Sequence, residues 1–402
     1  MKIIEGSITS PLGFRAAGVF CGLKKNSQPD LALLVSDYPA AAAGVFTQNT
    51  VKGHSLQLTR QNIQNGLARA VVINSGNANA CVGEPGLADA RAMAALVAAS
   101  IGCPAEQVMT GSTGVIGQRL NMAAIQKGIA LAAAELSTAV DSGHLAERAI
   151  MTTDLIPKEC VVQVQLGGQT ATVAGMAKGS GMIHPNMATM IGIITMDCTV
   201  ESDILADLLR KATNRTFNRV SVDGDTSVCD MVLALANGAA GIPAIQAGSA
   251  EALLLGEALE IVSTELSRLI ARDGEGATKL IEIRSEGALT DDDAYKIVLA
   301  IARSPLVKTA IFGEDANWGR ILTAAGYSGA KFNPDRCDIY LGDLKVCENG
   351  TALLFDEAAA KKILQQKELL IQIKLQDGQA TDRMWTCDFS YDYVRINGSY
   401  RT

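Results

Sequence analysis

Histidine is scarce in this sequence. Only His54, His144 and His184 occur among 402 residues, and none has a partner at metal-ligand spacing. None belongs to a Ser-His-Asp signature either. These absences argue against a His-based catalytic triad, and no metal is expected. A hydroxyl nucleophile in this chain needs a different base.

Basic runs and paired cysteines are missing as well. The chain holds 35 Lys and Arg against 42 Asp and Glu, a net charge of −7, without a basic block that would neutralise a phosphate backbone. Nucleic acid is therefore not an expected partner. The nine cysteines are scattered and form no CxxC pair, which is typical of reduced packing residues and argues against a disulfide framework or a zinc site.

Long apolar runs are absent too. No stretch of about 18 apolar residues occurs, and the N-terminal MKIIEGSITSPLGF meets Glu5, Ser7 and Pro11 before an apolar signal core forms. These features predict a cytoplasmic protein without a membrane partner. The 48% apolar composition supplies a core for two ordinary domains or one large one, although composition marks no boundary between them.

Strand-like and helix-like segments alternate along the first half of the chain. LALLVS (31–36) and AVVI (70–73) are typical of buried strands, and LADARAMAALVAASIG (87–102) has near-helical apolar spacing. This alternation predicts an α/β class. CVVQVQLGGQTATVAGM (160–176) predicts a hairpin that turns at its two adjacent glycines.

The second half contains two predicted helices, over 201–217 and 249–273, with Ser202 or Ser249 as N-cap. The last third is expected to consist of strands separated by turns, with one helix that starts near Asp356. In chain order the predicted strands of the second half cover 191–197, 279–283, 337–341, 369–375 and 385–396.

One hydroxyl stands out in the stretch HPNMATMIGIITMD (184–197). Thr189 lies between a polar, turn-like segment and an apolar β-branched run, and the small Ala188 precedes it. Where no histidine serves as the base, a hydroxyl nucleophile can use the free α-amine of an N-terminal Thr. The pKa of that amine is about 8, which leaves a neutral fraction near pH 7. That requires a cut before Thr189. Attack of the Thr189 hydroxyl on the Ala188 carbonyl would make the cut if the backbone were strained and the oxyanion stabilised.

Backbone donors for such an oxyanion are available in GSTGVIG (111–117), where glycine allows the N–H groups of Thr113 and Gly114 to converge. The same patterns also fit ordinary structure. An internal Thr before an apolar run is more often the start of a strand than a nucleophile, and Gly-Ser-Thr-Gly is more often a plain loop. AKGSGM (177–182) is likewise more often a turn than a phosphate cradle.

Three further stretches have the composition of ligand-binding loops. GEGATK (274–279) places Glu275 and Lys279 in a turn before a strand, and FGEDANWGR (312–320) gathers charged and amide side chains between apolar segments. Both suit a charged amino acid, but solvated loops have the same composition. NSGNANAC (74–81) follows a predicted strand, where α/β folds often present ligand-binding backbone, but it lacks the GxGxxG spacing of a dinucleotide site.

Ten stretches of the chain, in order, resemble motifs of the ArgJ family, the glutamate N-acetyltransferases also called ornithine acetyltransferases. Together they cover nearly the whole sequence. They are AAGVFTQN, NSGNANAC, GEPGLADA, STGVIG, MTTD, MAKGSGMIHPNMATM, FNRVSVDGDTS, GEGATK, SPLVKTAIFGEDANWGR and YDYVRINGSYRT. The chain departs from the family pattern at Cys229, where Asn is usual, and over 49–56 and 384–389. These departures bear on packing or specificity.

The resemblance implies an ArgJ/DmpA-like multilayered α/β sandwich that cleaves itself between Ala188 and Thr189. The products would be an α chain of residues 1–188 and a β chain of residues 189–402, assembled as α2β2. Thr189 would then carry acetyl from N-acetylornithine to glutamate in arginine biosynthesis, with ping-pong kinetics. No cofactor is implied. Family members differ in whether acetyl-CoA serves as a second acetyl donor.

The resemblance also assigns the residues of the site. Thr113 and Gly114 would form the oxyanion hole. The residues in contact with substrate would be Thr152, Lys178, Thr189, Glu275, Asn397 and Thr402. We infer from charge that Lys178 meets the substrate carboxylate and Glu275 an ammonium group. The sequence does not determine whether Thr152 or Thr153 is the residue that contacts the substrate.

Two other functions are compatible with the same residues. The nucleophile could pass its acyl group to water, which would make the protein an amidohydrolase or aminopeptidase and release ornithine at full rate without glutamate. Alternatively, the chain could stay uncut and bind ornithine or glutamate without catalysis, in which case no acetyl adduct would form.

Overall fold

The computed structural model of the chain describes residues 1–184 and 190–399. The chain divides into two compact units. Unit 1 comprises Met1–Asn218 with Asp225–Leu266, and unit 2 comprises Arg219–Gly224 with Ser267–Thr402. Each unit combines a mixed β-sheet with helices, so the predicted α/β class is confirmed.

The strands in chain order are β1 (Lys2–Ile4), β2 (Phe14–Val19), β3 (Leu31–Phe46), β4 (Leu67–Asn77), β5 (Val108–Val115), β6 (Glu159–Leu166), β7 (Gln169–Lys178), β8 (Ile191–Met196), β9 (Val220–Ser221), β10 (Met231–Ala236), β11 (Leu280–Ala288), β12 (Asp338–Leu341), β13 (Leu344–Glu348), β14 (Thr351–Ala352), β15 (Glu368–Lys374) and β16 (Ala380–Cys387). The helices are α1 (His54–Asn62), α2 (Glu84–Ile101), α3 (Met122–Glu135), α4 (Val140–Ile150), α5 (Ser202–Arg215), α6 (Ala250–Arg272), α7 (Asp291–Arg303), α8 (Pro305–Phe312), α9 (Trp318–Gly326), α10 (Glu357–Leu364) and α11 (Tyr391–Gly398).

Within the described residues, nine strands form the sheet of unit 1. Their order is β1-β6-β7-β8-β10-β3-β4-β5, and β2 pairs with β3 on the edge opposite β4. The first half of β3 pairs with β2 and its second half with β10. Its register with β4 shifts between Val35 and Ala40, and Pro39 lies inside this irregularity, the kind of position where a strand bends.

This sheet folds over so that its two halves pack face to face. Val71 and Met109 from β4 and β5 share one buried cluster with Met176, Ile193 and Leu233 from β7, β8 and β10. A Cβ at Gly111 of β5 would come within 2.6 Å of Met231 Cε of β10. The core of unit 1 is therefore a β-on-β interface, which brings together strands that are far apart in the sheet order.

Helices cover the outer faces of both layers. Met93 of α2 and Ile125 of α3 pack on the outside of the β2, β3 and β4 layer. On the other layer, a Cβ at Gly175 of β7 would meet the side chains of Val262 and Leu266 of α6 at 2.6 and 2.9 Å. Glycine there lets the helix approach the strand closely. The resulting helix, sheet, sheet, helix order in unit 1 agrees with the expected multilayered sandwich.

Unit 2 contains a second mixed sheet, in the order β14-β13-β12-β15-β11-β16-β9. Helices α7, α8, α9 and α10 contribute to one apolar core with this sheet. Ile283 and Ile371, from the parallel pair β11 and β15, lie fully or almost fully buried in this core together with Ile297 of α7.

Several local predictions are confirmed. The hairpin β6–β7 turns at Gly167 and Gly168, which have φ values of +56° and +82°, as a two-residue hairpin turn requires. Ser249 caps α6, because its hydroxyl accepts the Ala252 N–H at 3.1 Å. Ser202 instead begins α5, and the N-cap is Glu201.

Two predictions for the last third of the chain were wrong. The strand expected over 385–396 ends at Cys387, and α11 begins at Tyr391, because Ser390 caps that helix by accepting the Asp392 N–H at 3.1 Å. Besides the expected helix near Asp356, which is α10, the chain forms α7, α8 and α9 over 291–326.

No helix within 1–184 or 190–399 has both the length and the apolar composition needed to cross a membrane.

Candidate functional site

The predicted oxyanion residues lie at the end of β5, beside the end of β4. Thr113 and Gly114 are in register with Ser75 and Gly76. Gly114 has a φ of +130°, and a Cβ there would lie 2.4 Å from the Gly76 carbonyl carbon. Only glycine fits this close approach of two backbones. The GSTG stretch is thus part of a strand end and not a free loop.

A buried polar network holds this strand end in place. The Ser112 hydroxyl donates to Asn74 Oδ1 at 2.6 Å and lies 2.7 Å from Ser55 Oγ. Asn79 Nδ2 in turn donates to Ser55 Oγ at 3.1 Å. These groups are almost completely shielded from solvent, where satisfied hydrogen bonds stabilise one arrangement strongly. The backbone next to Thr113 is therefore preorganised.

Lys178 lies at the same end of unit 1, on the opposite layer. It is the last residue of β7 and is in register with Ile191, the first residue of β8. Its Nζ donates to Thr113 Oγ1 at 3.4 Å, and the residue is 9% exposed. The N-terminal side of β8 is anchored as well, since the Met190 carbonyl accepts the Met231 N–H at 3.0 Å.

Thr152 is tied to this region by a residue that the sequence analysis did not single out, Asp154. Asp154 Oδ2 accepts the Thr152 N–H at 2.9 Å, and Oδ1 accepts the Gly179 N–H at 2.6 Å. Lys158 Nζ donates to Oδ1 at 2.8 Å. Opposite charges four residues apart within MTTDLIPKEC are the sequence signal that could have identified this pair.

Charge stabilises the ionised form of Asp154. Burial by itself raises the pKa of a carboxyl group, but the positive charges of Lys178 and Lys158 outweigh it and hold the pKa of Asp154 far below its usual range. Nearby, burial raises the pKa of Glu147 to about 8. Glu147 Oε1 accepts the Lys158 N–H at 2.9 Å, and Oε2 has no hydrogen-bond partner among the described residues.

Two of the predicted substrate contacts meet in unit 2. Asn397 of α11 donates from Nδ2 to Glu275 Oε2 at 2.8 Å, and Glu275 is 6% exposed. The turn that carries Glu275 packs tightly on the helix. Gly276 has a φ of +70°, and a Cβ there would come within 2.4 Å of the Tyr393 nitrogen. The turn therefore needs glycine to bring Glu275 and Asn397 together.

The other charged groups predicted in this part of the chain have structural partners. Asp388 accepts the N–H groups of Thr278 and Lys279 at 2.8 and 2.9 Å, which fixes the turn after Glu275. Lys279 Nζ donates to the Ile311 carbonyl at 3.0 Å. In the 312–320 stretch, Asn317 caps α9. These groups support the fold.

The structure thus places six of the predicted site residues in two groups. Thr113, Gly114, Thr152 and Lys178 lie in unit 1, and Glu275 and Asn397 in unit 2. Ala188, Thr189 and Thr402 fall outside the described residues.

Cys229, one of the departures from the family pattern, packs beneath the NSGNANAC stretch. Its Sγ donates to the Ala78 carbonyl at 3.4 Å, and it clusters with Ala78, Ala80 and Val228. Burial raises the pKa of its thiol. Within 1–184 and 190–399, no group of three or more His, Cys, Asp or Glu residues could hold a metal ion.

This chain resembles known proteins in both sequence and fold. The chain matches the model of the ArgJ family over residues 15–402. It is similar to the arginine biosynthesis bifunctional protein ArgJ of Symbiobacterium thermophilum, with 52% identity over 404 residues and all of both chains covered. The ArgJ protein of Caldanaerobacter subterraneus subsp. tengcongensis is 50% identical over 406 residues, again with both chains fully covered. Among solved structures, the ArgJ protein of Bacillus halodurans is 41% identical with a TM-score of 0.51, over 52% of this chain and 98% of that one.

Proposed function

This chain belongs to the ArgJ family, and we propose that it transfers acetyl from N-acetylornithine to glutamate through an acetyl ester on Thr189. Membership confirms the predicted family and the predicted class of enzyme, an acetyltransferase of arginine biosynthesis.

The first proposed step is self-cleavage. The Thr189 hydroxyl attacks the Ala188 carbonyl, the peptide nitrogen leaves as the Thr189 amine, and water hydrolyses the resulting ester. The products are an α chain of residues 1–188 and a β chain of residues 189–402, which is 53% of the sequence. The Bacillus halodurans structure supports this division, because a chain matched over 98% of its length accounts for only 52% of this one.

Acetyl transfer follows on the new N-terminus. The Thr189 amine accepts the hydroxyl proton while the oxygen attacks the acetyl carbonyl of N-acetylornithine. The N–H groups of Thr113 and Gly114 stabilise the oxyanion, and ornithine leaves with the proton. The amine of glutamate then attacks the acetyl ester, which releases N-acetylglutamate and restores Thr189. Two half-reactions on one nucleophile give ping-pong kinetics.

The observation that carries the proposal is the contact between Lys178 Nζ and Thr113 Oγ1, at 3.4 Å. It joins the strand end proposed as the oxyanion hole to a cation that is in register with Ile191, two residues after Thr189 in the sequence. A buried lysine at this point is suited to an α-carboxylate. We assign that carboxylate to Lys178, with Thr152 beside it.

Glu275 is assigned to the substrate ammonium. The hydrogen bond from Asn397 to Glu275 Oε2 fixes the carboxylate, which supports this role. From the family resemblance we retain Thr402 as a substrate contact. For the same reason we retain an assembly of two α chains and two β chains. The two relatives are named bifunctional, and we assign the second activity here to acetyl transfer from acetyl-CoA to glutamate, with no resident cofactor.

Intact mass under denaturing conditions tests the cleavage. We expect two species of roughly 20 and 22 kDa, in proportion to residue number, with Thr189 as the new N-terminus. Thr189→Ala should give one species at 42.1 kDa. If the wild-type protein also stays at that mass, Thr189 has no free amine to act as a base, and the proposed mechanism is wrong.

Product assays test the transfer. Ornithine release from N-acetylornithine should require glutamate, and release at full rate without glutamate would identify a hydrolase instead. Acetyl-CoA with glutamate should release CoA at a rate above that of Thr189→Ala. CoA release no faster than in this control would limit the enzyme to N-acetylornithine.

A further inference from the structure

We propose that Asp154 is a positioning residue for the acetyl transfer, because it holds Thr152 and the backbone beside Lys178 in one fixed arrangement. This inference rests on the proposed function. Asp154 belongs to neither the oxyanion hole nor the set of substrate contacts.

The carboxylate joins two segments that are distant in the sequence. Thr152 lies in the turn between α4 and β6, whereas Gly179 directly follows Lys178 at the end of β7. Asp154 accepts a backbone N–H from each, at 2.9 Å and 2.6 Å. The two segments therefore cannot shift against each other without breaking a hydrogen bond to a buried carboxylate.

A third contact keeps Asp154 itself in place. The Lys158 ammonium donates to Asp154 at 2.8 Å, and both side chains are fully buried. The backbone of Lys158 is fixed on two sides, since its N–H donates to Glu147 Oε1 at 2.9 Å and its carbonyl accepts the Ala177 N–H at 2.9 Å. Asp154 is thus anchored to the β6–β7 hairpin whose last residue is Lys178.

The three contacts require a carboxylate in particular. All three partners of Asp154 are donors: the N–H groups of Thr152 and Gly179 and the ammonium of Lys158. A carboxylate accepts on both oxygens, whereas an amide has one accepting oxygen and one NH2 donor. Asp154→Asn would direct its NH2 group at one of these donors, although it has nearly the same size.

A displacement of this kind should appear in catalysis. A misplacement of about 1 Å in a substrate-positioning group costs on the order of 100-fold in rate. We therefore expect Asp154→Asn to lower kcat/KM for N-acetylornithine by roughly 100-fold, well beyond what its loss of thermal stability explains.

Asp197 provides a matched control in the same unit. It is also a buried aspartate that accepts two backbone N–H groups, those of Leu12 at 3.1 Å and Thr172 at 2.8 Å. Thr172 lies six residues before Lys178 on β7, about 20 Å away along the strand. Asp197→Asn should lower the melting temperature and leave kcat/KM near the wild-type value.

The experiment compares kcat, KM and melting temperature for wild type, Asp154→Asn and Asp197→Asn, after intact mass has shown that each is cleaved. Wild-type turnover establishes the proposed function first, so an inactive wild type counts against that function and not against Asp154 alone. If Asp154→Asn is not folded, Asp154→Ser, which keeps one acceptor and leaves room for water, replaces it. An Asp154→Asn protein that folds but stays uncut, beside a cleaved Asp197→Asn, also supports the inference, because cleavage uses the same strand ends.

A double-mutant cycle with Lys178→Met separates positioning from general damage. If Asp154 acts through the Lys178 region, Asp154→Asn should cost roughly 100-fold in the wild-type background and less than about 10-fold in Lys178→Met. Equal costs in both backgrounds, or the same loss of kcat/KM in Asp197→Asn, would reduce Asp154 to a structural residue and overturn the inference.

Discussion

Lys178 Nζ donates a hydrogen bond of 3.4 Å to Thr113 Oγ1, although their strands, β7 and β5, are separated by four others in the sheet order. The contact exists because the sheet of unit 1 folds over and its two layers meet around Met109, Met176 and Ile193. It joins the strand end proposed as the oxyanion hole to the cation proposed for the substrate carboxylate. Substitutions at Gly114, next to Thr113, and at Lys178 test the two ends of this contact.

Gly114→Ala should impair both cleavage and transfer. The new Cβ would lie 2.4 Å from the Gly76 carbonyl carbon, at a φ of +130°, so the backbone donors must shift. Loss of oxyanion geometry costs on the order of 100 to 1,000-fold in rate. The fraction of cleaved chain over time, followed by intact mass, measures the effect. Gly117→Ala is the control, since its φ is also positive but no atom lies within 4 Å of its Cβ. Equal cleavage of the two variants would argue against an oxyanion role for Gly114.

Lys178→Met should weaken binding of the substrate carboxylate. Removal of one charge-assisted hydrogen bond costs about 1.5 to 3 kcal/mol, or roughly 10 to 100-fold in kcat/KM. Steady-state kinetics with N-acetylornithine and with glutamate measure it, and both half-reactions should suffer. Lys211→Met, on the surface of α5 with 66% of its side chain exposed, should retain wild-type values. An unchanged kcat/KM in Lys178→Met would remove Lys178 from the site.

Asn397→Asp should be more harmful than Asn397→Ala. Asn397 Nδ2 donates to Glu275 Oε2 at 2.8 Å, and an aspartate there would place two carboxylates in contact, which disfavours ionisation of both. We expect kcat/KM for N-acetylornithine to fall at neutral pH and to recover in part as the pH is lowered, relative to wild type. A pH profile of both variants tests this, and identical profiles would separate Asn397 from the charge of Glu275.

Glu147 should make the stability of the protein depend on pH. Burial raises its pKa to about 8 in the folded protein, against 4.5 as the reference value, so folding favours the protonated form. This contribution is fully present below about pH 4.5 and is lost as the pH rises towards 8. The free energy of unfolding of the wild type should therefore fall by up to about 5 kcal/mol, relative to that of Glu147→Gln, over this pH range.

Melting temperatures of wild type and Glu147→Gln between pH 5 and 9 check this expectation. The melting temperature of Glu147→Gln should rise relative to that of the wild type as the pH increases to about 8, and the difference should then stay constant. Glu135→Gln, at an exposed position of α3, should keep a constant difference from wild type. A constant difference for Glu147→Gln as well would mean that Glu147 does not titrate in this range.

Sequence patterns predicted the elements whose signals are local. The hairpin at Gly167 and Gly168 and the cap at Ser249 depend on a few adjacent residues, and both were predicted correctly. The segment 385–396 misled because WTCDFSYDYVRI has the β-branched and aromatic residues of a strand throughout. The strand nevertheless ends at Cys387, where Asp388 turns to accept the N–H groups of Thr278 and Lys279. The local signal that was missed is Ser390, which caps α11 by accepting the Asp392 N–H. The contact of Asp388 is long-range, and no pattern within the segment reveals it.

By itself the sequence determined the α/β class, the family and the candidate residues, because composition, periodicity and motifs are properties of the chain alone. Only the tertiary structure decided how those candidates meet. Asp154 joins Thr152 to Gly179, and Lys178 reaches Thr113, because packing two layers of one sheet buries apolar surface and brings distant strand ends to one edge. Such contacts follow from the burial of the whole core, and no short segment of the sequence carries them.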